Sequence, residues 1–242
     1  MKNVTIIGGG PAALMLAAEL DTKKYKITIY EKKKAVGRKF LVAGEGGLNL
    51  TFSSPMEDLI SHYHPTAFFS TLLPQFTNED LVKWMNNHGV PTFIGSSNRV
   101  FPDLDLKPVE VLNKITEHIE EKKINFKLDA EWSGWNDEGE LTFKKGKPVK
   151  SDITVFALGG ASWKVTGSDG SWSKSFADKG VKMIPFRAAN CAFGVDWDKN
   201  FITTHAGKPL KNIAVTFGRK SAKGELVISE FGLEGNAIYA LS

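Results

Sequence analysis

The chemistry that this sequence suggests first is the binding of a pyrophosphate by a glycine turn. Gly8, Gly10 and Ala13 follow the spacing Gly-x-Gly-x-x-Ala close to the amino terminus. In that spacing the first glycine allows a tight turn, the second lets bare backbone approach a pyrophosphate, and the third small residue lets a helix pack closely against a strand. Glu31 lies 23 residues after Gly8, where a carboxylate accepts hydrogen bonds from a ribose diol and repels a 2′-phosphate. The pattern predicts a dinucleotide site that disfavours NADP.

The elements around this turn have the composition of a strand, a helix and a second strand. Residues 4–7 are a short run of mostly β-branched residues that suits a buried parallel strand, and residues 12–20 are rich in Ala, Leu and Met, which favour helix. Residues 26–30 alternate like a second strand and end at Glu31. A helix that begins near Pro11 aims its free N–H groups and the positive end of its dipole at a phosphate. Together these elements predict a right-handed βαβ unit.

The rest of the chain continues to alternate between helices and strands. Helical stretches are predicted at 78–88 and 108–122, and strand-like segments at 125–135, 140–143 and 153–158. This alternation predicts an α/β fold with a parallel sheet.

The segment 37–51 bears on which nucleotide is bound, because the βαβ unit alone suits both NAD and FAD. It reads GRKFLVAGEGGLNLT and follows the second strand closely. It offers two cations for phosphate, glycines for a close backbone approach and fixed polar groups, at Arg38, Lys39, Gly46, Asn49 and Thr51. On composition alone, a flexible surface loop is the alternative.

The same segment resembles the GRKxLxSGGGRCNxT signature of the HI0933-like, or BaiN-like, flavoproteins. It is closer still to a sister clade that reads GRKFLxAGxGGLNLT. The resemblance continues through RVFP at 99–102, through ITVFALGG at 153–160, which is similar to a second flavin motif, and through GGASW and GSDG between 159 and 170. PFRAANC, AGKPLK and GLEGNAIYALS, at 185–191, 206–211 and 232–242, extend it over almost the whole chain.

The resemblance implies a Rossmann-like FAD-binding domain of the glutathione-reductase type at 1–187, with a helical insertion at about 55–120. It also implies that 188–242 is the incomplete start of an inserted, mostly β domain. The cofactor is expected to be FAD, held by Gly8, Gly10, Pro11, Ala12, Ala13, Glu31, Lys32, Arg38, Lys39, Gly46, Asn49, Thr51, Trp132, Gly159 and Gly160. Trp132, like Trp135 and Trp163, could stack on a ring or fill a core.

The sequence departs from the family pattern at several positions. Gly47 and Leu48 stand where the larger family has Arg-Cys, Leu158 replaces a Thr, and Lys164 replaces a Pro. Family members also continue well beyond position 242 and close over the flavin with a later segment. We therefore expect the full-length form to bind FAD noncovalently and this chain to bind it weakly or not at all.

Composition narrows the class of protein further. The net charge is +4, and the Lys and Arg residues are scattered in small clusters along the chain. This distribution predicts a solvated surface and no nucleic-acid partner. The single cysteine, Cys191, excludes an internal disulfide, a disulfide relay and a cysteine zinc cage, and predicts a reducing, cytoplasmic location. The histidine spacing predicts no metal site, and no apolar stretch is long enough to span a membrane.

The predicted function is that of an FAD-dependent oxidoreductase that moves a hydride between the flavin and a small organic substrate. NAD(P)H is a candidate electron donor, although no second glycine fingerprint follows the first. The alternative is a non-catalytic nucleotide-binding or regulatory relic; a flavoprotein that acts on RNA receives little support from the scattered charge. No residue is assigned a catalytic role: His205 and Lys208 could face a substrate or lie in an exposed loop, and Cys191 is interpreted as a small buried residue.

Overall fold

The strand, helix and strand at the amino terminus form as the sequence predicts. In a computed structural model, which describes residues 1–43, 47–95, 98–188 and 190–241, they are β1 (Lys2–Ile7), α1 (Pro11–Glu19) and β2 (Tyr25–Tyr30). β1 and β2 are parallel, with Val4 beside Ile27. Their inward side chains are buried because a parallel sheet in an α/β fold is covered by helices.

The chain divides into two compact units, Met1–Met183 and Ile184–Ser242. The remaining strands of the first unit are β3 (Thr51–Phe52), β4 (Thr92–Ile94), β5 (Arg99–Pro102), β6 (Asn125–Lys127), β7 (Trp132–Trp135), β8 (Leu141–Phe143) and β9 (Ile153–Phe156). Its remaining helices are α2 (Arg38–Ala43), α3 (Met56–Ser61), α4 (Thr66–Leu72), α5 (Asn78–Asn87), α6 (Pro108–Glu121) and α7 (Ser173–Ala177), with 3₁₀ turns at Leu73–Gln75 and Lys164–Thr166.

A parallel sheet in the order β6-β2-β1-β9 forms the centre of the first unit. Helices α1 and α6 pack together beside it, and Ala13, Ala17, Val111 and Ile119 are fully buried between the layers. The small residue at position 13 therefore brings helix and strand close together, as the glycine spacing predicts. The first unit therefore has a Rossmann-type fold, a parallel sheet with packed helices.

Two parts of the first unit differ from the sequence-based expectation. The region between the second strand and α6 contains an antiparallel sheet, β3-β5-β4, in addition to helices. The alternating stretch 125–135 is two strands in different sheets, because the chain turns between them at Asp129, whose φ is 53°. After this turn Ala130 donates its N–H to the carbonyl of Glu31, so the end of β2 is tied to the start of the β7–β8 hairpin.

The second unit is mostly β, in agreement with the expected fold class. Its elements are β10 (Phe193–Gly194), α8 (Lys199–His205), β11 (Pro209–Phe217), β12 (Lys220–Ser229), β13 (Gly232–Glu234) and α9 (Asn236–Tyr239). The strands form an antiparallel sheet in the order β10-β13-β12-β11. Leu226, Ile228 and Ile238 form its small core.

Candidate nucleotide-binding site

The turn between β1 and α1 needs glycine for two different reasons. Gly8 has a φ of 105°, and a Cβ at this position would lie 2.3 Å from the carbonyl oxygen of Ala157, directly after the neighbouring strand β9. Gly10 has an ordinary extended conformation, with φ −83° and ψ 178°, and a Cβ there would meet nothing within 4 Å. Gly8 is therefore required by the fold, whereas the bare backbone of Gly10 faces open space that a ligand can enter.

That open space is a cavity of about 410 Å³ between two walls of the first unit. The first wall is the turn 8–11 together with the end of β2 at Tyr30 and Glu31, and the second wall is the segment 159–172 that follows β9. The volume is within the range of about 300–1,000 Å³ that small-molecule sites occupy. The cavity is lined by these residues of the expected cofactor site: Gly8, Gly10, Pro11, Glu31, Lys32, Arg38, Lys39, Trp132, Gly159 and Gly160.

Four other expected residues, all of them described by the structure, do not line the cavity. Ala13 is buried in the core against α6, and Ala12 lies exposed on α1. Thr51 pairs with Val100 in the β3–β5 ladder, and Asn49 is exposed in the preceding loop. Gly46 lies outside the described residues. A role for these five residues in binding the cofactor stays a prediction.

Glu31 is fixed by two backbone donors. Its Oε2 accepts a hydrogen bond from the N–H of Gly9 at 2.7 Å, and its Oε1 accepts one from the N–H of Lys33 at 2.8 Å. A carboxylate has about four lone-pair positions, so each oxygen can accept a further hydrogen bond. The turn thus orients the carboxylate with acceptor capacity left for two hydroxyl groups.

Most of the cationic side chains around the cavity already form an ion pair or a hydrogen bond within the protein. Lys32 pairs with Asp169, Lys39 Nζ donates to Ser162 Oγ, and Lys144 pairs with Glu131 at 2.8 Å. Arg38 has no ion-pair or hydrogen-bond partner for its guanidinium among the residues that the structure describes. Four cationic and two acidic side chains line the cavity, and Asp169 pairs with one of the cations, Lys32, which leaves a formal excess of one positive charge for an anionic ligand.

The second wall is built from an irregular segment with its own internal bonds. Trp163 and Ser168 exchange backbone hydrogen bonds, and the buried Ser168 Oγ donates to the carbonyl of Gly160 at 3.1 Å. Trp172 Nε1 donates to the carbonyl of Gly159 at 3.2 Å. These side-chain bonds hold Gly159 and Gly160 at the cavity.

Aromatic side chains lie at the β7–β8 side of the cavity. Trp132 packs against Trp135, Phe156 and Phe176, with ring centroids 4.8–5.7 Å apart, so it both fills a core and lines the cavity. Its Nε1 is buried without a hydrogen-bond partner in the described part of the chain. Tyr30 stacks on Phe143 at 4.5 Å, and burial raises the pKa of its phenol.

Sequence reasoning did not find several residues that line the cavity, namely Tyr30, Glu131, Ser133, Lys144, Ser168, Trp172 and Ser175. Tyr30 had a local signal, since it ends the second strand directly before Glu31. The others reach the cavity through tertiary packing of the β7–β8 hairpin and of the chain after β9, which spacing in the sequence does not reveal.

Three further expectations concern Cys191, a metal site and a membrane span. The interpretation of Cys191 as a buried residue is wrong: it is exposed, because it precedes the short edge strand β10, whose residues are exposed too. Among the described residues no group of His, Cys, Asp or Glu could hold a metal ion. In the same part of the chain, no helix combines the length and apolar character needed to cross a bilayer.

The chain has recognisable relatives among known proteins. A family model described as HI0933-like protein Rossmann domain matches residues 2–227. The chain is 24% identical over 250 residues to the 3-dehydro-bile acid delta(4,6)-reductase of Clostridium scindens, with 100% of this chain and 60% of the relative covered. It is also 24% identical over 242 residues to the ribosomal RNA dihydrouridine synthase of Escherichia coli K12, with 98% of this chain and 59% of the relative covered.

Among solved structures, one that matches part of this chain is THI4 of Thermovibrio ammonificans. It has a TM-score of 0.44 and 14% sequence identity, and the match covers 75% of this chain and 64% of that chain. The present chain spans about 60% of the length of the curated relatives that it matches.

Proposed function

The chain belongs to the HI0933-like family of FAD-binding flavoproteins, and we propose that the cavity beside Gly10 holds the ADP portion of FAD. In this arrangement the pyrophosphate lies against the bare backbone of Gly10 and beside Arg38, and the ribose hydroxyls donate to the carboxylate of Glu31. The observation that carries the proposal is the open space at Gly10, where a Cβ would meet nothing within 4 Å.

The charge of the cavity fits such a ligand. The formal excess of one positive charge around the cavity favours an anionic ligand such as a pyrophosphate diester, and α1 begins at Pro11 with its free N–H groups at the same end. The carboxylate of Glu31 already accepts from two N–H groups and retains capacity for two more. The residues present therefore suit the diphosphate and ribose of FAD.

We further propose that the whole protein is an oxidoreductase that transfers a hydride between FAD and a small organic substrate. Bound FAD supplies the hydride chemistry, and this chain binds and orients the nucleotide. The relative from Clostridium scindens is named as a reductase of a bile acid, which supports a small organic substrate. A non-catalytic relic is not favoured by a family match that extends from residue 2 to residue 227.

The electron donor and the cofactor can be tested together by titration. FAD added to the full-length form of the protein should bind saturably, as should ADP, and both should compete for one site. Bound oxidised flavin should absorb near about 450 nm, a band set by the cofactor, and its bleaching by NADH or NADPH without oxygen would identify the donor. Failure of both FAD and ADP to bind, in the chain and in a longer form of the protein, would contradict the proposal.

An RNA substrate is a second candidate, because one hairpin concentrates positive charge. Residues 199–223 contain six Lys and Arg residues and no Asp or Glu, and all six are exposed around α8 and the β11–β12 hairpin. Phe217, 75% exposed beside the turn, could stack on a base. A relative is named as a ribosomal RNA dihydrouridine synthase. Binding of single-stranded RNA that weakens with salt, and is lost when Arg219, Lys220 and Lys223 are changed to Glu, would favour this candidate.

A further inference from the structure

We propose that Lys32 and Asp169 are a positioning pair that holds the second wall of the cavity against the first, and that Lys32 does not bind the cofactor itself. The inference rests on the proposed FAD site. It differs from the sequence-based expectation, in which Lys32 is a cofactor ligand.

The bond between these residues joins parts of the chain that are far apart in sequence. Lys32 Nζ donates to both carboxylate oxygens of Asp169 at 3.0 Å, and the two side chains are only 25% and 24% exposed. Lys32 directly follows Glu31 at the end of β2, whereas Asp169 lies in the segment 159–172 that forms the second wall. A half-buried, bidentate pair in this position ties one wall to the other.

The second wall also contacts the aliphatic part of the Lys32 side chain. Gly167 has a φ of 100°, and a Cβ there would lie 3.2 Å from Cε of Lys32 and 3.4 Å from Cε of Lys33. The backbone of the second wall therefore packs directly on the two aliphatic stems. Lys39 Nζ donates to Ser162 Oγ, which gives the same segment a second tie to the chain after β2.

The neighbours of Asp169 keep its carboxylate ionised and fix its orientation. Burial raises its pKa, but hydrogen bonds from Lys32 and Ser171 outweigh burial and bring the pKa to about 2. The N–H and the hydroxyl of Ser171 donate to Oδ1 at 3.1 and 2.8 Å. The carboxylate is thus ionised and oriented, and the charge of Lys32 is already neutralised, which leaves Arg38 as the lining cation without a described partner.

The direction of one mutational effect separates the two roles of Lys32. If Lys32 binds a phosphate of FAD, Asp169→Asn frees its charge, and FAD should bind more tightly. If the pair positions the second wall, Asp169→Asn should raise the Kd of FAD about tenfold, in line with the loss of a charge-assisted hydrogen bond. Lys32→Met should raise the Kd by a similar factor, and the double variant by no more than either single one, because both changes remove one bond.

A measurement without cofactor tests the wall itself. Lys164 is exposed within the segment 159–172, so trypsin cleavage after Lys164, followed by mass spectrometry of the cofactor-free protein, reports how often the second wall opens. Asp169→Asn and Lys32→Met should each accelerate this cleavage about tenfold. Asp178→Asn is the matched control, since it breaks the exposed Lys174–Asp178 pair on α7 and should change neither the cleavage nor the Kd.

The outcomes distinguish this inference from the proposed function. A wild-type protein that binds no FAD contradicts the FAD site, while the cleavage rates still test the positioning pair. Tighter FAD binding by Asp169→Asn, additive effects in the double variant, or unchanged cleavage after Lys164 would each overturn the pair.

Discussion

The two walls of the cavity differ in what fixes their atoms. The first wall is set by backbone: the N–H of Gly8 donates to the carbonyl of Tyr30 at 2.7 Å, and β1 lies between β2 and β9 in a continuous parallel ladder. The second wall contains local backbone bonds, and it is held in addition by side chains, among them Ser168, Trp172 and Asp169. Backbone hydrogen bonds inside a central sheet open rarely, whereas an irregular segment held by side-chain bonds opens at a lower cost in free energy.

The strongest test of this contrast is Gly8→Ala. The new methyl group would meet the carbonyl of Ala157 at 2.3 Å, in a conformation that L residues rarely adopt. We expect a loss of about 3 kcal/mol or more in the free energy of unfolding, measured by thermal or urea denaturation followed by circular dichroism. Gly10→Ala is the control, and it should fold like the wild type; equal stability of the two variants would contradict the rigid first wall.

Gly10→Val should separate binding from folding. Its extended backbone suits a β-branched residue, and the open space around it accepts the side chain without a clash. The valine would occupy the position assigned to the pyrophosphate, so FAD and ADP binding should fall more than about a hundredfold while the circular dichroism spectrum is kept. Unchanged affinity in a folded variant would mean that the glycine serves only the turn.

Glu31→Ala should lower both the stability of the fold and the affinity for FAD. The N–H groups of Gly9 and Lys33 would lose their acceptor, which should lower the free energy of unfolding by about 1–3 kcal/mol. Loss of the ribose contacts should also raise the Kd of FAD by roughly ten- to a hundredfold. A variant that loses stability but keeps its FAD affinity within about twofold would place the ribose elsewhere, and Glu31 would then serve only to brace the turn.

The smallest effect is expected from pH acting on the second wall. Because the pKa of Asp169 is about 2 in the folded chain, below its ordinary value of 3.8, its contribution to stability is complete above that ordinary value and is lost as the pH falls toward 2. The difference in unfolding free energy between the wild type and Asp169→Asn should be constant from about pH 5 to 8 and should narrow below about pH 4. A difference that changes between pH 5 and 8 would show that another group holds the wall.

The contrast between the walls also explains what the sequence could reveal. Gly8, Gly10 and Glu31 act through positions on successive local elements, so spacing along one βαβ unit was sufficient to place them at the cavity. Ser168 and Trp172 are brought to the cavity by bonds to Gly160 and Gly159, and their hydroxyl and indole groups follow no periodic pattern.

Residues that family motifs mark as cofactor ligands lie partly at the cavity and partly elsewhere, for a related reason. A motif such as 37–51 marks a segment, but among its described residues those that line the cavity, including Arg38 and Lys39, are at its start. The chain pairs in the β3–β5 ladder by Thr51. The parallel sheet was predictable from alternation of elements. The antiparallel sheet β3-β5-β4 was not, since its strands are two to four residues long and carry too few residues to show a period.

The two strands that pair with β1 are synthesised at very different times. Val4 lies beside Ile27 on one side and beside Ile153 on the other, so one partner follows almost at once while the second is separated by about 120 further residues. At a synthesis rate of 5–20 residues per second, that interval is roughly 6–24 seconds. During this time the apolar edge of β1 has no strand to pair with, and it is open to pairing with other nascent chains. We expect a ribosome-bound chain that ends before β9 to associate with a holding chaperone, and one long enough for β9 to have left the ribosome to be released from it.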